Sequence, residues 1–147
     1  MVEGRQRQPS GLVKRGYSDN EVAAIYNLAR IFLESGDTRR AQVIFKGLNI
    51  IAPNFAPAFL GTCAVCVSNA DYDEALRAAR KAHQLDLSLV ESELFLTTCL
   101  LTNKDYNTAG TLLGGVAEKI ENKEVADPQI IRFFNAQLAR YRSTSKS

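Results

Sequence analysis

Apolar side chains recur along this chain at helical spacing, in blocks separated by short polar junctions. Ile25, Leu28, Ala29 and Phe32 form one block, Phe59, Cys63 and Cys66 a second, and Leu94, Leu96 and Leu100 a third. Steps of three and four residues place such positions on one face of a helix. The junctions at Gly36-Asp37, Ala70-Asp71 and Lys104-Asp105, with Pro53 between the first two, divide the chain into helical segments. The pattern predicts seven helices, over about 19–35, 38–51, 56–69, 72–85, 89–102, 106–122 and 128–142, and an all-α fold. Ser18 and Glu21 have the spacing of a capping box at the first helix. Pro57 lies in the first turn of the third helix, where a missing N–H does no harm. Asp127-Pro128 reads as N-cap and first residue of the seventh helix. The seventh carries Ile130, Phe133, Phe134, Leu138 and Tyr141 on one broad stripe, with Gln129, Arg132, Gln137 and Arg140 for its wet side.

Two residue types repeat with a single period. Asp37, Asp71 and Asp105 are 34 residues apart, and so are Ala41, Ala75 and Ala109. Each Asp can cap the helix that follows. Each Ala stands where two helices cross closely. A period of about 34 residues belongs to the helix–turn–helix unit of the tetratricopeptide repeat, and the chain resembles that pattern over roughly Val22 to Asn122. The first copy adds Phe45, Leu48 and Pro53 at consensus positions. The later copies have Ala79 and Leu113 at the aromatic position and no terminating Pro. The expected organisation is a flexible N-terminal tail, 1–17, and a three-repeat domain, 18–142. Its repeats cover about 22–55, 56–89 and 90–123, with a capping helix at 128–142; a polar tail, 143–147, follows. A solenoid needs its open end covered, and the seventh helix is the natural cover.

In tetratricopeptide arrays the first helix of each pair lines the concave face. The resemblance therefore assigns Ala23, Tyr26, Asn27, Arg30, Leu33 and Glu34 to a groove from the first repeat. Pro57, Leu60, Gly61, Ala64, Val67 and Ser68 follow from the second, and Glu91, Leu94, Phe95, Thr98, Leu101 and Thr102 from the third. Leu60, Val67, Leu94, Phe95 and Leu101 would make an apolar stripe, the usual mark of a binding surface. Its expected ligand is an extended apolar peptide or an amphipathic helix. Gly61 and Ala64 would leave shallow pockets for anchor side chains. The alternative is that some of these residues pack on neighbouring helices or under the seventh. Arrays that clamp the acidic C-termini of 70- and 90-kDa heat-shock proteins need Lys, Asn and Arg at set positions. Tyr26, Arg30, Gly61, Glu91 and Phe95 stand there instead, so carboxylate capture is not expected.

Composition narrows the partners. A net charge of +2 over 147 residues argues against nucleic acid, which demands a basic face. Arg5, Arg7, Lys14 and Arg15 do cluster near the N-terminus, as a solvated tail or a binding arm. No apolar run approaches a membrane span, and Met1 to Gly16 is too polar for a signal peptide. With three cysteines, an odd number, a reducing compartment and a cytoplasmic setting are expected.

Little in the chain suggests chemistry. Cys63-Ala64-Val65-Cys66 has zinc or redox spacing, but no second ligand pair exists, and both cysteines fall at helix-crossing positions. A structural role is expected. His83, the only histidine, lies late in the fourth helix, where a surface or helix-end role is expected. Gly114-Gly115 lacks a phosphate-binding context and marks a close helix approach or a weakened sixth helix. Glu118, Glu121 and Glu124 alternate with Lys119 and Lys123 as a solvated face. No catalytic residue, cofactor or metal ligand is assigned.

Three repeats with a final helix resemble the chaperones of bacterial type III secretion. Ala41 to Ala64, A-Q-V-I-F-K-G-L-N-I-I-A-P-N-F-A-P-A-F-L-G-T-C-A, is similar to their pattern of Ala, Phe, Leu, an apolar pair and Pro, followed by Leu-Gly and Cys. Phe95 to Asp105 is similar to their third repeat. The resemblance implies a bacterial cytoplasmic chaperone whose groove binds an amphipathic or extended apolar segment of a secreted cargo protein. That binding would block premature self-assembly. Translocator chaperones carry an extra N-terminal helix for dimerisation. Needle-subunit chaperones have seven helices and work with a second small co-chaperone, and the helix count favours them. A generic adaptor in a cytoplasmic complex is the alternative.

Overall fold

The computed structural model describes residues 16–145. Among them are seven helices and no strand: α1 (Asp19–Glu34), α2 (Thr38–Ile51), α3 (Ala56–Ser68), α4 (Tyr72–Leu85), α5 (Val90–Thr102), α6 (Tyr106–Glu121) and α7 (Pro128–Ser145). Each helix from α1 to α6 packs on the next, α1 touches α3, and α3 touches α5. Short connections make neighbours antiparallel, so α1, α3 and α5 run the same way. This is the tetratricopeptide solenoid predicted from the period. Two tail boundaries move. Tyr17, assigned to the tail, packs against the cluster of Val22, Leu48, Ala52 and Ala58. At the other end α7 continues to Ser145, past the expected tail boundary at 143. The rest of the predicted N-terminal tail, 1–15, lies outside the described residues.

The junctions repeat as faithfully as the sequence does. Asp37 Oδ1 accepts from Arg40 N at 3.1 Å, Asp71 Oδ1 from Glu74 N at 3.4 Å, and Asp105 Oδ1 from Thr108 N at 3.3 Å. Just before each Asp, one residue is left-handed: Gly36 (φ 90°), Ala70 (φ 59°) and Lys104 (φ 63°). The amides of Gly36 and Asp37 donate back to Leu33 O and Phe32 O, and the same pair of bonds recurs at 70–71 and 104–105. These are Schellman closures, which favour glycine at the left-handed position. Only the first copy has it. A left-handed side chain costs roughly 1–2 kcal/mol, part of which glycine regains. Lys104→Gly is therefore expected to raise stability by about 1 kcal/mol, read as a higher urea midpoint at unchanged slope.

Packing between pairs uses a size exchange. Ala41, Ala75 and Ala109 are each fully buried at the crossings. Phe45 on α2 is fully buried, and a Cβ at Gly61 on α3 would collide with its ring. One period on, the sizes are reversed: buried Ala79 belongs to the cluster against which Phe95 packs. Phe45 of the same chain therefore occupies the space that the missing Gly61 side chain leaves, and Gly61 lines the hollow on the concave side without a pocket of its own.

The seventh helix closes the array by packing on α5 and α6. Its predicted stripe holds: Ile130, Phe133, Phe134, Leu138 and Tyr141 all join the cluster of Val90, Leu94, Leu113, Val116 and Val125. Gln137, assigned to the wet side, is buried instead, and its Oε1 accepts from Arg140 Nη1 at 3.1 Å. The close approach on α6 is at Gly110, where a Cβ would stand 2.7 Å from Tyr141 Oη. Gly114 meets nothing within 4 Å, so of the two readings of Gly114-Gly115 the weakened helix is the one that fits.

Candidate protein-binding groove

The helices α1, α3 and α5 present their inner faces to a hollow of about 750 Å³, and α7 forms its far wall. Tyr26, Arg30 and Leu33 come from α1, Leu60 and Ala64 from α3, and Glu91 and Phe95 from α5. From the closing segment come Asp127, Gln129, Ile130 and Phe133. Tyr26 is held edge-on to Phe55 at 5.5 Å between ring centroids and tilted to Phe45 at 6.0 Å. Phe95 meets Phe133 edge-on at 5.0 Å. Two separate groups of aromatic rings thus contribute to the floor, and the contacts within each group fix their orientation.

Six of the ten assigned groove residues line this hollow: Tyr26, Arg30, Leu33, Leu60, Ala64 and Phe95. The other four do not. Leu94 is fully buried under α7, and Leu101 is buried with Leu100 and Ala109. Val67 packs against the Cys63–Cys66–Cys99 cluster, and buried Thr98 donates its hydroxyl to Leu94 O at 3.0 Å. For Leu94, Thr98 and Leu101 the cause is the covering of α5, which touches α3, α4, α6 and α7 and keeps only a narrow face open. The contribution of Ile130 and Phe133 was missed. Their signal was present, since a stripe of five large apolar residues is wider than one helix face needs.

The charges around the floor are mostly negative. Glu34 pairs with Arg30 at 3.7 Å, an exposed i,i+4 contact. Among the described residues, neither Glu91 nor Asp127 has an ion-pair partner. Burial pushes the Tyr26 phenol above its ordinary value; nearby Arg30 opposes this and Glu91 adds to it.

Away from the groove, the sequence-level candidates are structural. Cys63, Cys66 and Cys99 are buried free thiols. A hydrogen bond to Cys99 and then burial push the Cys63 thiol far above its ordinary value, and burial raises Cys66. Such thiols are poor nucleophiles. Among the described residues no three metal-ligating side chains come together. His83 Nδ1 lies 3.3 Å from Ser92 Oγ, a contact from the end of α4 to α5. Lys119 departs from its assignment to a solvated face. Its Nζ donates to Glu93 Oε1 at 2.8 Å, and the Glu93 side chain is only 9% exposed. Removing one partner of a buried pair strands the other, so Lys119→Met is expected to cost about 2–3 kcal/mol in urea unfolding. Glu93→Gln in the same background should recover part of that loss.

No protein-family model and no curated protein matches the chain. Solved structures do. SycD, the type III secretion chaperone of Yersinia enterocolitica, in complex with a peptide of the translocator YopD, superposes with a TM-score of 0.73 at 20% identity. The match covers 88% of this chain and 98% of that one. PcrH in complex with the chaperone binding region of PopD gives 0.74 at 20% identity, over 90% and 96%. The chain has their fold. The TPR2AB domain of yeast Sti1, in a complex with pHSP90, gives 0.70 at 17% identity, over 85% of this chain and 48% of that one. The secretion chaperones among these are translocator chaperones, so the preference for a needle subunit, drawn from helix number, gains no support from them. Among the described residues no helix is long and apolar enough to cross a membrane.

Proposed function

We propose that the protein is a bacterial cytoplasmic chaperone of type III secretion that holds an apolar segment of a secreted subunit in its concave groove. The observation that carries this reading is the concave, largely apolar floor left open between α1, α3, α5 and α7, where residues from four elements converge on one hollow. An anchor side chain would enter beside Ala64, between Leu60 and Phe95, and be sheltered there from water. Burying a cargo's self-association surface keeps it monomeric, a holding mechanism that requires no catalysis. Similarity to SycD and PcrH supports a translocator segment as cargo. The needle-subunit class, with a co-chaperone beside it, is the second reading, and rests on seven helices among the described residues. Co-expression with small secreted proteins of each class tests the proposal. A stoichiometric complex that keeps an otherwise aggregating subunit soluble is expected. A protein that binds none of them, yet assembles with other cytoplasmic proteins, would be an adaptor instead.

A further inference from the structure

The groove carries two carboxylates, Glu91 and Asp127, above an apolar floor; among the described residues neither has an ion-pair partner, and Asp127 Oδ1 accepts from Gln129 N at 2.8 Å. Glu91 is the second residue of α5, and Asp127 immediately precedes α7. Because α1, α3 and α5 run the same way, the Glu91 end of the groove is also the end at which the chain enters α1. The chain arriving there is complementary in both charge and polarity. Residues 1–15 hold Arg5, Arg7, Lys14 and Arg15 against the single acidic Glu3, with Leu12-Val13 between the basic pairs. Fifteen residues extend to about 50 Å, whereas Tyr26 is seven helical steps, roughly 10 Å, along α1 from its start. Each full carboxylate charge outweighs the roughly half charge of a helix N-terminus, so the rim attracts cations.

We propose that the groove's resident occupant, before cargo arrives, is the chain's own segment 1–15, bound intramolecularly with Leu12-Val13 toward the floor and its basic residues toward Glu91 and Asp127. This rests on the groove being the cargo site, and makes the segment a cargo mimic. Tethering gives it a local concentration on the order of millimolar, so even weak binding keeps the floor covered. Cargo then has to displace it, which discriminates against weak apolar ligands.

The test uses the full chain without cargo, so its outcome is separate from that of the cargo assay. Gln8→Cys accepts a nitroxide selectively, because Cys63, Cys66 and Cys99 are buried. The expected result is selective loss of amide signal at Ala64, Phe95 and Gln129, and none on the outer face of α4. The signal should return in 1 M salt, where the Debye length is about 3 Å, and in Glu91→Gln/Asp127→Asn, whose Asn still caps α7. Undiminished groove signals, or loss elsewhere, would overturn the proposal. So would loss seen when spin-labelled chains are mixed with separate isotope-labelled chains, since the segment would then be acting in trans.

Discussion

Gly61→Ala is expected to destabilise the protein by about 3 kcal/mol, the upper part of the range for overpacking a core. The added methyl would enter the ring of Phe45, which is fully buried and cannot swing into solvent. Tyr26 packs against the same ring, so any shift of Phe45 also disturbs the groove floor. Removing the ring should relieve the clash: Phe45→Ala/Gly61→Ala keeps the cavity left by Phe45 but has no collision, and should be less unstable than the sum of the two single changes. The check is a double-mutant cycle by urea unfolding. A Gly61→Ala protein with the parent's midpoint would mean that the ring and backbone are not in the contact described.

The second large effect concerns binding. Ala64 lines the hollow without belonging to a core cluster, so a charge there should leave the fold standing. Ala64→Glu places a carboxylate among apolar rings, beside Glu91 across the groove. Burying it under an apolar cargo segment would cost at least about 2 kcal/mol, or roughly thirtyfold in affinity. Leu94→Glu, which the sequence pattern also recommends, would be a poor probe. It would put a charge in the fully buried cluster under α7 and report unfolding rather than binding.

What the sequence revealed follows the strength of each local signal. Asp37, Asp71 and Asp105 cap helices by their own side chains, and Ala41, Ala75 and Ala109 sit where only a methyl fits; both roles belong to one residue and read directly. The aromatic and aliphatic stripe on α7 had a polar opposite face, so its direction was legible apart from Gln137. α3 and α5 lacked that contrast. Both are apolar nearly all round, which announces burial but not which side faces a neighbour. Leu94 and Leu101 were therefore placed in the groove when they belong to the core. The left-handed Ala70 and Lys104 were invisible for another reason: the second and third turns tolerate the strain without the glycine that marks the first. Gly61 read as an empty pocket because the residue that fills it, Phe45, lies 16 positions away on another helix.

The most direct test of the groove as a holding surface is the yield of cargo that co-purifies with the full chain and with Ala64→Glu, each expressed with the same secreted subunit. Thermal unfolding by circular dichroism verifies the fold of both. The account predicts a stoichiometric complex for the parent and its loss for Ala64→Glu, with the freed subunit going to the insoluble fraction. A folded Ala64→Glu protein that retains the subunit in full amount would contradict it.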